Sequence, residues 1–173
     1  MPDAHQAVLG AVRYEPGFDV NRMLRAVADE LRSQGFAIAG VVQQNRAPEK
    51  GYAARMSLID LRTGQAVAIS QDLGAHARGC RLDQGGLSEI AGMISAAIEA
   101  GSDVLVINKF GRAEAEGEGL LSCISEAVVA GVPVLTTVRP PFLGAWQDFH
   151  GGLATELPPS PQAVLEWCQA AAA

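Results

Sequence analysis

Cations and amides stand where the strand-like runs of this chain end, a pattern suited to holding a small anion. Arg13 and Tyr14 follow the first apolar run, Gln43 and Gln44 the second, Asn108 and Lys109 the run after the middle helix, and Arg139 the last. Arg112 comes within one turn of Lys109, and Arg78 and Arg81 flank Cys80 ahead of a predicted helix start. Open parallel sheets hold ligands beyond such strand ends. Guanidinium forks, an ammonium and neutral amides suit a tetrahedral oxyanion. For any single residue, a solvated surface cation is the plainer reading. Agreement among four strand ends favours a binding rim.

Two positions lack what phosphate hydrolysis needs. Between the first strand and the first helix, Phe18 and Asp19 follow Gly17, where a phosphate-gripping loop would place Lys and Ser/Thr. A magnesium–nucleotide site also keeps acidic residues just after a strand such as Val104–Ile107, because the metal needs hard oxygen ligands. Asn108 and Lys109 stand there instead. The turn at Gly17 could still offer backbone N–H groups to an anion; a plain turn capped by Asp19 competes with that reading. Cys80 is either a thiol activated between two cations or a packing residue. Glu114, Glu116 and Glu118 read as a metal or proton site, or more simply as acids favoured at a helix start. No Cys/His metal-ligand spacing occurs.

Length and charge bound the rest. At 173 residues the chain fits one domain, spanning residues 1–173. A net charge of −6 argues against a general nucleic-acid binder, which needs a basic face. No apolar run reaches the roughly 18 residues needed to span a bilayer, and no basic stretch precedes an apolar one at the N-terminus. Three widely spaced cysteines fit reduced thiols. A cytoplasmic protein without a membrane or nucleic-acid partner is expected.

The elements that must position these residues alternate. Val8–Arg13 reads as a strand, and Asp19 caps a helix carrying Val20, Met23, Leu24, Val27 and Leu31 at helical spacing. Phe36–Val42 is a second strand, followed by a polar loop from Asn45 to Ala53. Arg55–Asp60 and Gln65–Ser70 form a hairpin, and Ala75–Arg81 is irregular. Asp83 caps a helix with Leu87, Ile90, Ile94 and Ile98, and Val104–Ile107 is the next strand. A helix from about Gly119, a buried strand Val132–Val138 and a terminal helix opened by Ser160-Pro161 complete the series. Arg139 to Trp146 reads as a stiff aromatic loop that covers a ligand or meets a neighbouring subunit. The pattern implies a three-layer α/β sandwich with a mostly parallel sheet, the hairpin being an insertion or an antiparallel edge.

Taken together, Ser57 to Gln65, the strand leading to Lys109-Phe110-Gly111-Arg112-Ala113-Glu114, and Ala130 to Val138 resemble the small P-loop nucleoside-triphosphatases of the cancer-related NTPase family. The likeness runs from the first strand to about Arg139. Closer still is the resemblance to a bacterial family of unknown function often encoded beside molybdenum-transport genes. It rests on Arg78 to Asp83, Asn108 to Glu114 with Glu116-Gly117, and the segment at Trp146. The triphosphatase's loop Lys and Ser/Thr fall on Phe18 and Asp19, and its acidic pair on Asn108 and Lys109, so the resemblance implies a degenerate P-loop frame. It also implies a role in molybdenum homeostasis, with molybdate or another tetrahedral oxyanion as ligand. The expected function is non-catalytic anion binding at Arg13, Tyr14, Gly17, Gln43, Arg78, Cys80, Arg81, Asn108, Lys109, Arg112 and Arg139, in a homo-oligomer. A nucleotide-binding protein with weak NTPase activity and an assembly module without a small ligand are the alternatives.

Overall fold

The computed structural model describes residues 8–46, 55–71 and 81–172. In chain order these form β1 (Leu9–Arg13), α1 (Val20–Ser33), β2 (Ile38–Arg46), β3 (Arg55–Asp60), β4 (Ala66–Ala68), β5 (Ser70–Gln71), β6 (Arg81–Leu82), α2 (Gln84–Glu99) and β7 (Val104–Ile107). There follow α3 (Arg112–Ala115), α4 (Leu121–Ala130), β8 (Val134–Val138), a 3-10 turn (Pro140–Phe142), α5 (Leu143–His150), β9 (Ala154–Leu157) and α6 (Pro161–Ala172). Seven strands make one sheet in the order β4-β3-β2-β7-β8-β1-β9, and β5 pairs with β6 apart from it. The five strands from β2 to β9 run parallel, while β3 and β4 close one edge as an antiparallel hairpin.

Strand alternation builds the two interfaces. Leu105 and Ile107 of β7 pack under α2 and α4 with Ile90, Ile94 and Ile124; Val104 and Val106 pack under α1 and α6 with Leu24, Val27 and Val164. All four β7 residues are buried, which is why this strand reads as an unbroken apolar run. Helix α1 begins at Asp19, whose carboxylate accepts the Arg22 N–H, and its apolar stripe from Val20 to Leu31 faces the sheet. Helix α2 begins the same way at Asp83. Gly40 is required where β2 crosses close to β7. Its φ is +107°, and a Cβ there would be driven into the Val106 carbonyl. The hairpin turn is fixed by the buried Asp60 carboxylate, which accepts from the Thr63 N–H at 3.0 Å and the Thr63 hydroxyl at 2.7 Å.

Two sequence expectations need correction. Strand β2 runs on to Arg46 because it pairs with β3 along its length, so Asn45 is strand and not the start of a loop; residues 47–53 of that expected loop lie outside the described residues. The stretch after Arg139 is not a loop. Pro140 and Pro141 are tolerated in the first turn of a helical segment, and the chain coils through Phe142 into α5. Trp146 is consequently core, 3% exposed and edge-on to Phe110 with ring centroids 5.1 Å apart. Strand β9, a polar edge strand with one buried residue, carries no alternation that would have revealed it.

Candidate functional site

Beyond the carboxyl ends of β2, β7 and β8 lies a cavity of about 460 Å³. The register that pairs Val41 with Ile107 and Ile107 with Thr136 brings these three strand ends together. Gln43, Asn108, Lys109, Arg112 and Arg139 all line the cavity. Five of the sequence-predicted site residues are therefore neighbours.

Their roles differ. Asn108 is 2% exposed and its amide is committed to the fold: Nδ2 donates to Asn21 Oδ1 on α1 at 2.6 Å, and Oδ1 accepts from the Thr137 hydroxyl on β8 at 3.0 Å. It ties the end of β7 to both neighbouring elements. Gln43 is half-buried and donates to Asn45 Oδ1 and to the Met56 sulfur. Arg112 is exposed and paired with Glu116 at 3.3 Å, one turn on, a contact worth little in water.

Lys109 and Arg139 are the half-buried cations. Burial pushes the Lys109 ammonium below its ordinary range, the Arg139 guanidinium pushes it the same way, and Glu114 opposes both. The Arg139 Nε is shielded from solvent and has no hydrogen-bond partner among the described residues, while its guanidinium carbon lies 5.9 Å from the Phe142 ring centroid. The Lys109 stem and the Glu114 carboxylate flank Gly111: a Cβ there would sit in ordinary contact, 3.6 Å from Lys109 Cε and 3.9 Å from Glu114 Oε2. Glu114 turns its oxygens toward the N–H groups of Gly111 at 3.3 Å and Leu120 at 3.5 Å. Burial raises its carboxyl above the ordinary range, against the pull of those N–H groups and of Lys109. A carboxylate so engaged opposes an anion less than a free one.

The other wall is apolar, formed by Met56, Leu58, Ile69, Leu87, Leu120 and Phe142. Sequence reasoning missed this wall and the burial of Glu114, because the residues come from the hairpin, α2 and the turn after β8. The spacing of Gly111 and Glu114 was the one local signal: Glu114 is the third residue after the glycine and reaches back to its N–H.

Of the remaining predicted residues, Arg13, Tyr14 and Gly17 lie elsewhere. Arg13 lines a separate cavity of about 190 Å³ with Trp146 and His150, and pairs with Glu156 of β9 at 3.6 Å. Tyr14 is buried in the α1–α6 layer; burial raises its hydroxyl's pKa, with Arg139 opposing. Gly17 holds a positive φ of 94° in the turn before α1, where Asp19 already caps the helix start. Arg78 and Cys80 lie outside the described residues, and Arg81 contributes backbone to β6. Arg22 and Arg25 of α1, which the sequence reading passed over, line a third cavity with Asn21, Gln43 and Gln44. Cys123 and Cys168 are buried, their thiols pushed up mainly by burial to about 11 and about 12, so neither is an activated nucleophile. No cluster of three or more metal-ligating side chains occurs among the described residues. Nor is any helix among them long and apolar enough to cross a membrane.

Known proteins agree with this frame. The solution structure of a human cancer-related nucleoside triphosphatase superposes on 96% of this chain and 94% of its own, with a TM-score of 0.64 and 14% identity. The shared feature is the fold, an α/β sandwich. A molybdenum import ATP-binding protein, ModC 2 of Bradyrhizobium diazoefficiens, is 38% identical over 159 residues, 92% of this chain. The chain spans only 18% of that protein's length. Residues 9–167 match the family described as "Protein of unknown function (DUF2478)", and the chain belongs to that family.

Proposed function

We propose that the protein binds a small anion in the Lys109–Arg139 cavity, does not hydrolyse nucleotides, and serves molybdenum homeostasis. The observation that carries this reading is the meeting of two half-buried cations at adjacent strand ends. At the usual phosphate position the start of α1 is instead occupied by its own Asp19 cap. Phosphoryl transfer depends on positioned charge, and neither a loop lysine nor a metal carboxylate is present at the matching positions. The likeness to a molybdenum import protein makes molybdate the first anion to try. Self-association belongs to the same proposal, although Trp146, one contact suggested for it, is core.

Calorimetry with molybdate and sulfate at matched ionic strength tests the reading. Binding tighter than about 1 mM is expected, weakened by about 1.5–3 kcal/mol in Lys109→Ala, the scale of a charge-assisted hydrogen bond. No binding of either anion, with Lys109→Ala unchanged, refutes it. Nucleotide binding is the second reading, favoured by a cavity larger than a free oxyanion and by the fold of the human triphosphatase. Magnesium-dependent ATP or GTP turnover abolished by Lys109→Ala would promote it.

A further inference from the structure

The cavity's size and its two-sided lining describe more than a bare anion. A tetrahedral oxyanion has four oxygens, each about the size of a water whose share of liquid volume is about 30 Å³, so it fills roughly 120 Å³. The cavity holds about 460 Å³. Besides Glu116 and Glu118, the rest of its lining includes Leu58, Ile69, Leu87 and Phe142, which offer a free oxyanion no hydrogen bond. Pockets of about 300–1,000 Å³ with a mainly apolar lining and a few convergent polar groups hold small organic molecules.

Its position points the same way. No residue from Tyr14 to Asp19 lines this cavity. Leu58, Ile69, Leu87 and Leu120 belong to the α2–α4 side of the sheet, whereas the turn after β1 leads into α1 on the opposite side. A nucleotide gripped at the start of α1 would lie elsewhere.

We infer that the ligand is an organic anion: a phosphate or similar oxyanion head between Lys109 and Arg139, carried on an apolar body that lies against Leu58, Leu87 and Phe142. This rests on the anion-binding reading and adds the substrate class. Glu114 stays engaged with the Gly111 and Leu120 N–H groups and leaves the two cations to the head. The body excludes water from the head and so strengthens its contacts. Selectivity then comes from the apolar wall, and affinity for the charge from the two cations.

Calorimetry with inorganic phosphate, 2-naphthyl phosphate and 2-naphthol separates the contributions. 2-Naphthyl phosphate is expected to bind about tenfold or more tighter than phosphate, because its rings leave water. Lys109→Ala should weaken both phosphates and leave 2-naphthol unchanged. Leu87→Phe fills the apolar end and should abolish the preference while sparing inorganic phosphate. Met56→Trp, at a half-buried position, gives the same reading if Leu87→Phe does not fold. Equal affinity for the two phosphates overturns the inference and leaves anion binding standing. Equal affinity for 2-naphthyl phosphate and 2-naphthol overturns anion binding itself, and absence of binding by all three overturns both.

Discussion

Replacing Asn108 with alanine removes a side chain that joins three elements, and its cost can be worked from the contacts. The substitution deletes the bond to Asn21 at 2.6 Å and the one from Thr137 at 3.0 Å. Asn21 is half-exposed and can turn to water, but Thr137 is 0% exposed and is left with a buried hydroxyl lacking its acceptor. An orphaned buried group costs about 1–3 kcal/mol, and with the second bond the loss is about 2–4 kcal/mol. Thr137→Val alone orphans the Asn108 carbonyl and costs about 1–3 kcal/mol. In the double variant the shared bond is lost only once, so the combined cost falls short of the sum by about 1–2 kcal/mol. Urea unfolding followed by circular dichroism reads this as midpoint shifts at constant slope. Additivity within about 0.5 kcal/mol would refute the strut. Unchanged stability in Asn108→Ala with weakened anion binding would reassign the amide to the ligand.

Glu114 gives a pH signature. Its folded pKa is raised above 4.5, so the folded state holds the proton more tightly, and the stability this adds is full below 4.5 and lost as pH rises through the folded value. Glu114→Gln should therefore gain on the wild type as pH climbs from about 4.5 toward neutrality. Thermal melts of both proteins across that range check it, and a constant difference in Tm contradicts it. Gly40→Ala should destabilise by about 3 kcal/mol or more, since the positive φ and the Val106 carbonyl both exclude a Cβ. Soluble yield and Tm close to wild type would show that β2 can shift away from β7.

Much of the frame was legible because it is written in local chemistry. Val104–Ile107 is apolar at every position, as a strand covered on both faces must be. Asp19 and Asp83 cap the helices they precede. Phe18 after Gly17 and Asn108 after the Val104–Ile107 strand can be read without coordinates. Helix α5 was hidden because Pro140-Pro141 reads as a stop when the segment is taken alone. Strand β9 was hidden because an edge strand with one buried residue has no hydrophobic alternation to show.

The sequence by itself determined the kind of element at most positions, since periodicity and capping are properties of a few adjacent residues. Tertiary structure decided which strand ends meet. Sheet order sets β2, β7 and β8 side by side, so Gln43, Lys109 and Arg139 share a cavity, while β1 lies next to β9 and Arg13 is drawn to Glu156. It also decided that Asn108 is a strut, that Glu114 is sheltered and that Trp146 is core. Each of these depends on burial by residues far along the chain, and no local pattern encodes how much water a side chain loses when distant elements close over it.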